Sequence, residues 1–357
     1  MTQQRGGEAG SQRSILRVLA RTELLGAGVA LWVCLFAGPS EAQETVTLFV
    51  TSQKTDTVQV LRGPIPRLEP IAAIRVGREP HNLGISPDGR WVATSGRRSG
   101  DVSLISTDTR VEVARIPVGR QPHDVAFSED NRTLYVGHEQ EPFVSVIDVP
   151  SQTRRASLAI RQAQHDLSLA PDGRELWFTI TNRPYKTGDP RVGVVELASG
   201  TVTMIDTGAN AHDVILSPDG RTAWVTNSGF LDRPDDRVHV LDVAGRRVLE
   251  VLRVGRYPFH APKRGRDGND VPPTAREMWF SDHGLKALVS VSLTDRRVLG
   301  TVPVGAEPFH LAATASGMLF VANHGSGTVT IVDASRWSVL GTLQVAPRPH
   351  GLAVLVR

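Results

Sequence analysis

Cysteine is almost absent: the chain of 357 residues has one, Cys34. It lies in an apolar run, Leu24 to Gly38, preceded by Arg5, Arg13, Arg17 and Arg21 and followed by the small residues Ser40 and Ala42. That order reads as a signal peptide, so residues 1–42 are assigned to a leader cleaved after Ala42, and export to the periplasm or beyond is expected. The run is shorter than the roughly 20 residues of a membrane span, and no span is expected in the mature chain. A chain beginning at Gln43 would contain no cysteine, which excludes disulfides, thiolate-ligated cofactors and a cysteine nucleophile. Charge of one sign is lacking too: 40 basic and 37 acidic residues leave a formal net charge of +3 without a run of either sign. Charge balance therefore gives no case for nucleic-acid or acidic-membrane binding. Aromatics make up 5% of the residues, so the exposed stacking platforms of single-strand binders are not apparent either.

What the sequence has in quantity is repetition. "VGREPHNLGISPDGRWVATS" (Val76 to Ser95) reads as strand, turn, strand, with Pro, Asp and Gly forming the turn. Its Gly-x-x-Pro-His step returns from Val118, Arg161, Thr207, Val254 and Val304, and a last fragment, "APRPHGLAVLV", carries His350. The period of about 40–50 residues is that of a propeller blade. Each period holds four short stretches with Val, Ile, Leu and Thr at period two, which are half-buried strands. The C-terminal fragment supplies one strand, while residues 45–75 supply the other three. Joined, they complete a seventh blade and close the ring, hiding its edge strands. The expected fold is all-β: a single seven-bladed β-propeller over residues 43–357, monomeric.

The strand ends "YVGH", "WVTN" (Trp224 to Asn227) and "FVAN", with the Gly-x-x-Pro step and the "SPDG" turn, resemble the YVTN-type β-propeller repeat family over essentially the whole mature chain. The resemblance implies the fold and leaves function open, because that family spans binding proteins, surface proteins and relatives of cofactor-bearing propellers.

Chain reversal at every turn places the loop into each first strand and the loop between second and third strands on one face. His81, His123, His165, His212, His260, His310 and His350 belong to the first kind of loop, beside the channel. His138, His283 and His324 follow second-strand ends and belong to the second kind. His239 stands apart. Aligned on the turn glycines, Phe309 matches His81, so His310 is displaced by one residue, and "PFH" displaces His260 likewise. Clustered neutral imidazoles are favoured ligands of transition metals. Copper or zinc is the expected cofactor, with Asp124, Asp166 and Asp213 as outer acceptors or an added carboxylate and His138, His283 and His324 as further candidates around the metal's own ligands. One ion with bonds of about 2.0–2.1 Å cannot engage seven imidazoles, so a subset or several ions are expected. The arrangement resembles the propeller of nitrous oxide reductase, where seven histidines hold a copper cluster. The chain lacks the cysteine-bearing electron-entry domain, so the resemblance implies metal binding and not that reaction.

The favoured reading is a periplasmic metal carrier, store or delivery protein that works with a periplasmic protein partner. Two alternatives stay open: a propeller scaffold for protein or macromolecular partners, and a cofactor- or metal-dependent enzyme, for which no motif selects a substrate. Asp267, Asn269 and Asp270 read better as turn residues than as a calcium loop. The insertions Arg183 to Arg191 and Gly229 to Asp236 are candidates for a rim over the channel. Trp91, Trp177, Trp224 and Trp279 read as packing between blades.

Overall fold

The strands form where the period-two patterns lie, and they assemble blade by blade. The computed structural model describes residues 44–180, 191–207, 210–227, 235–262 and 276–356. The expected leader, the loop holding Asp267, Asn269 and Asp270, and most of both insertions lie outside the described residues. Among the described residues there are seven antiparallel sheets, six of four strands and one of three. The three-stranded sheet, Glu277–Asp282, Ala287–Ser292 and Val298–Pro303, takes its innermost position from the segment around Pro258. That residue bridges Asp282. The chain is thus a seven-bladed β-propeller. Among the described residues no helix is long and apolar enough to cross a membrane.

Ring closure follows the terminal strands. Pro349–Val356 is the innermost strand of a blade whose other strands are Thr45–Ser52, Thr57–Pro64 and Glu69–Arg75. Apolar residues of second and third strands pack between neighbouring blades rather than within one. Val102 and Leu104 meet Leu134 and Val136, and Leu48 and Leu61 meet Phe320 and Ile331. Trp177, Trp224 and Trp279 are fully buried in such seams, and Trp91 is partly buried in another. One seam has no slack at Gly193, where an added Cβ would stand 2.1 Å from the Phe178 ring. Gly193→Ala is therefore expected to destabilise by about 1–3 kcal/mol through overpacking, read as a lower urea midpoint at unchanged slope.

The innermost strands carry the feature that builds the site. In five blades the pairing of first and second strands slips by one residue at the same place, between Pro80 and Leu83, Pro122 and Val125, Ala211 and Val214, Pro308 and Leu311, and Pro349 and Leu352. In the other two blades, His165 and Asp166 share Thr179 as backbone partner, and Phe259 and His260 share Ser281. Each blade thus inserts a β-bulge at the channel mouth, and a bulge re-aims two successive side chains. Hydroxyls of the second strands stitch these bulges to the preceding blade. Thr51 donates to the His81 carbonyl (3.0 Å), Ser95 to His123 (2.6 Å), Thr179 to His212 (2.7 Å) and Thr226 to Phe259 (2.7 Å).

Candidate metal centre

The first bulge residue of every blade is an aromatic or imidazole ring, and the seven form a closed circle. Centroid separations run His350–His81 3.8 Å, His81–His123 4.2 Å, His123–His165 4.1 Å and His165–His212 4.2 Å. They continue as His212–Phe259 3.9 Å, Phe259–Phe309 5.2 Å and Phe309–His350 4.6 Å. The planes of neighbouring imidazoles turn by 44–49°, near the ~51° step of a seven-fold axis. Phe259 and Phe309 hold the places that histidines hold elsewhere, as the one-residue displacement implies. His260 and His310 come second in their bulges and stack on each other (3.8 Å, 29°), touching His212 and His350. All seven histidines expected at the channel are there, five in the circle and two beside it.

Asp124, Asp166 and Asp213 are also second bulge residues, and their carboxylates reach the next blade's backbone. Asp124 accepts from the amides of Val125 and Leu167, both at 2.9 Å, and from Asn82 Nδ2 at 2.8 Å. Asp166 accepts from Val214 N (3.3 Å) and Asp213 from Ala261 N (3.4 Å). Asp213 also accepts from a channel histidine, His260 Nδ1, at 3.3 Å. Further along the innermost strands lies a cavity of about 120 Å³ walled by Leu83, Ile85, Val125, Phe127, Leu169 and Leu311.

Above the circle stands a rim. In the five blades where the residue after the second strand is described, it donates its amide to the loop residue preceding the bulge: Gln53 to Arg348, Arg97 to Glu79, Glu139 to Gln121, His283 to Tyr257 and His324 to Glu307. Three of these side chains, those of Glu139, His283 and His324, lie against two ring members each. His283 lies on Phe259 (4.1 Å) and Phe309 (4.6 Å), and His324 on Phe309 (5.0 Å) and His350 (6.1 Å). His138 ends its strand one residue earlier and turns away, bonding Ser145 Oγ through Nε2 (3.0 Å). His239 sits on a third strand beside Asn227.

The rim residue over the His123–His165 gap is Glu139. Its Oε1 lies 3.8 Å from Nε2 of both imidazoles, and the three ligand atoms all fall within 4.8 Å of one another. The group is well enclosed, with side-chain exposures of 2% for His123, 8% for Glu139 and 12% for His165. Arg97 grips the other carboxylate oxygen through Nε (2.8 Å) and Nη2 (2.7 Å) while its Nη1 holds Glu79 (2.9 Å).

The hydrogen-bond network fixes where the protons are. His165 Nδ1 faces the His212 carbonyl at 3.3 Å, which can only accept, so Nδ1 carries the hydrogen and Nε2 the lone pair. Asn82 donates Nδ2 to Asp124, so its Oδ1 accepts from His81 Nδ1 (3.1 Å), and His81 Nε2 likewise keeps a lone pair. Burial pushes the His165 pKa down to about 4 despite the raising effect of Glu139. Burial also holds His81, His123 and His350 well below the ordinary value, helped at His81 by the Arg97 charge and at His123 by its imidazole neighbours. At neutral pH the His165 lone pair therefore faces a carboxylate oxygen with no hydrogen between them. The buried Nδ1 atoms of His123 and His350 have no hydrogen-bond partner.

Glu139 and Arg97 were not legible as site residues from repeat matching. In "LYVGHEQE" the histidine at the strand end draws the eye, and the register shows that the next residue occupies the rim position of His283 and His324. Pairing second-strand ends by hydrogen-bond register, instead of by residue type, is the signal that finds Glu139.

No protein-family profile matches the chain, and no curated protein sequence matches it. Among solved structures the chain is similar to one titled Kuenenia stuttgartiensis hydrazine synthase, with a TM-score of 0.68 at 19% identity, covering 80% of this chain and 92% of that one. At that identity the likeness bears on the fold alone, and it agrees with the seven-bladed β-propeller.

Proposed function

We propose that this is an exported YVTN-type propeller that binds a divalent transition metal, copper or zinc, and acts in the periplasm as its carrier, store or delivery protein. The observation that carries the reading is the meeting of Glu139 Oε1 with the imidazoles of His123 and His165, enclosed and without a hydrogen on the His165 nitrogen that faces the carboxylate. Acceptors packed against each other repel unless a cation sits between them. Tetrahedral bonds of about 2.0–2.1 Å put ligand atoms roughly 3.3 Å apart. The 3.8 Å separations would have to contract by about half an ångström. Two imidazoles and a carboxylate without sulfur suit Zn²⁺ or Cu²⁺ better than Cu⁺. His81, His212 and His350 continue the circle and give an ion neighbouring imidazoles to move between on loading or release.

Elemental analysis of the exported protein, followed by calorimetric titration of metal-free chain with Cu²⁺ and Zn²⁺ at neutral pH, tests this. Near-integral binding of either ion is expected. A chain that is isolated metal-free and also refuses both ions would overturn the reading and leave the scaffold alternative.

A further inference from the structure

We propose that an ion held by His123, His165 and Glu139 keeps a coordination position open to a small monodentate anion, and that Arg97 is the positioning residue that keeps it open. The inference rests on the metal reading above and adds a ligand to it. The protein can offer that ion three bonds and has few means of offering a fourth. Glu139 contributes Oε1 alone, because Oε2 is held by two nitrogens of Arg97 at 2.7 and 2.8 Å. Two-oxygen chelation is blocked while that grip lasts. The carboxylates that follow the ring histidines, Asp124, Asp166 and Asp213, are engaged by backbone amides of the next blade. His81 and His212 stand one ring position beyond the pair, at 4.2 Å from His123 and His165 respectively. Their ligand atoms do not join the group that converges within 4.8 Å.

Charge sets the ligand's sign. The imidazoles are neutral, and Arg97 offsets one of the two carboxylates, Glu79 and Glu139, that it bridges. A divalent ion therefore leaves this cluster with a net positive charge that one monoanion neutralises. Enclosure sets the size: with His123, Glu139 and His165 this buried, only a ligand of a few atoms can enter.

The test uses the full chain loaded with Cu²⁺, with sodium azide as probe. Copper binding is measured calorimetrically, and azide is then titrated while the azide-to-copper charge-transfer absorption is followed. The wild type is expected to give a saturable band. Arg97→Met frees Oε2 for chelation, so copper affinity is expected to hold or rise while azide affinity falls about 10-fold or more, the scale on which a ligand's outer partners act. Arg97→Lys, which keeps a cation on Oε2, is expected to retain azide affinity within about threefold. A purely structural role for Arg97 would weaken copper and azide together and would overturn its part in the proposal. Copper that binds tightly to the wild type and ignores azide would overturn the open position alone, whatever the fate of the variants. Copper that does not bind at all would remove the metal reading, and this inference with it.

Discussion

His123→Ala/His165→Ala is expected to abolish stoichiometric copper or zinc binding, whereas His260→Ala/His310→Ala should leave most of it. The first pair removes two of three converging ligand atoms. Partners outside the metal's own shell are commonly worth about 10–100-fold in affinity, so loss of two direct ligands should exceed 100-fold. The second pair removes histidines that stack on each other beside the circle, one tied to Asp213, and should cost less than about tenfold. Competition against a chromophoric chelator separates the outcomes. Equal losses from both pairs would mean that the ring acts as one diffuse site and that Glu139 does not define it. Glu139→Gln sharpens the comparison, since it preserves shape while removing the only carboxylate that meets two of the circle's imidazoles among the described residues.

Acid should destabilise the metal-free protein. His138 and His165 have pKa values near 4, and His81, His123 and His350 are also pushed well down, in each case chiefly by burial. The unfolded chain takes up these protons near pH 6.5, and the folded chain resists until far lower pH. Stability is therefore complete above about pH 6.5 and is lost as pH falls towards 4, at up to about 1.4 kcal/mol per pH unit for each such histidine. Urea midpoints at pH 7.5 and 4.5 check this directly, and the midpoint should drop steeply between them. His123→Ala/His165→Ala should flatten the dependence, because two of the resisting groups are gone. An unchanged wild-type midpoint would mean that water or charge reaches the imidazoles more freely than their enclosure implies. Bound metal requires neutral rings, so the same acid range should expel the ion.

Blade number, ring closure and the gathering of histidines were all readable in the residues, because each rests on local pattern. Period-two apolar stretches make strands, "SPDG" makes turns, and repetition with reversal assigns faces. The displacement of His260 and His310 could be read by aligning Phe309 with His81. What pattern could not show was the bulge, which depends on pairing register and re-aims two successive residues per blade. That one irregularity puts His310 by the channel rather than in a seam, and it gives Asp124 and Asp166 a stitching task that their position after a histidine does not announce. The Glu139–Arg97 pair was hidden for a different reason. It joins second-strand ends of two blades, 42 residues apart, and no repeat signal marks residues that differ from blade to blade.

The circle of rings cannot be finished by any blade on its own. His350 fills the place between Phe309 and His81, and it rides on the strand that pairs with Thr45–Ser52, tied by Thr51 to Gly351 across 300 residues of chain. Pairings of such long range form late, because loop-closure entropy must be overcome before they contribute. The mouth is thus completed by the contact that joins the first described strand to the last. A ligand gripping that mouth would stabilise the molecule as a whole rather than a neighbourhood of it. Occupancy of the mouth then becomes a report on the integrity of the entire chain.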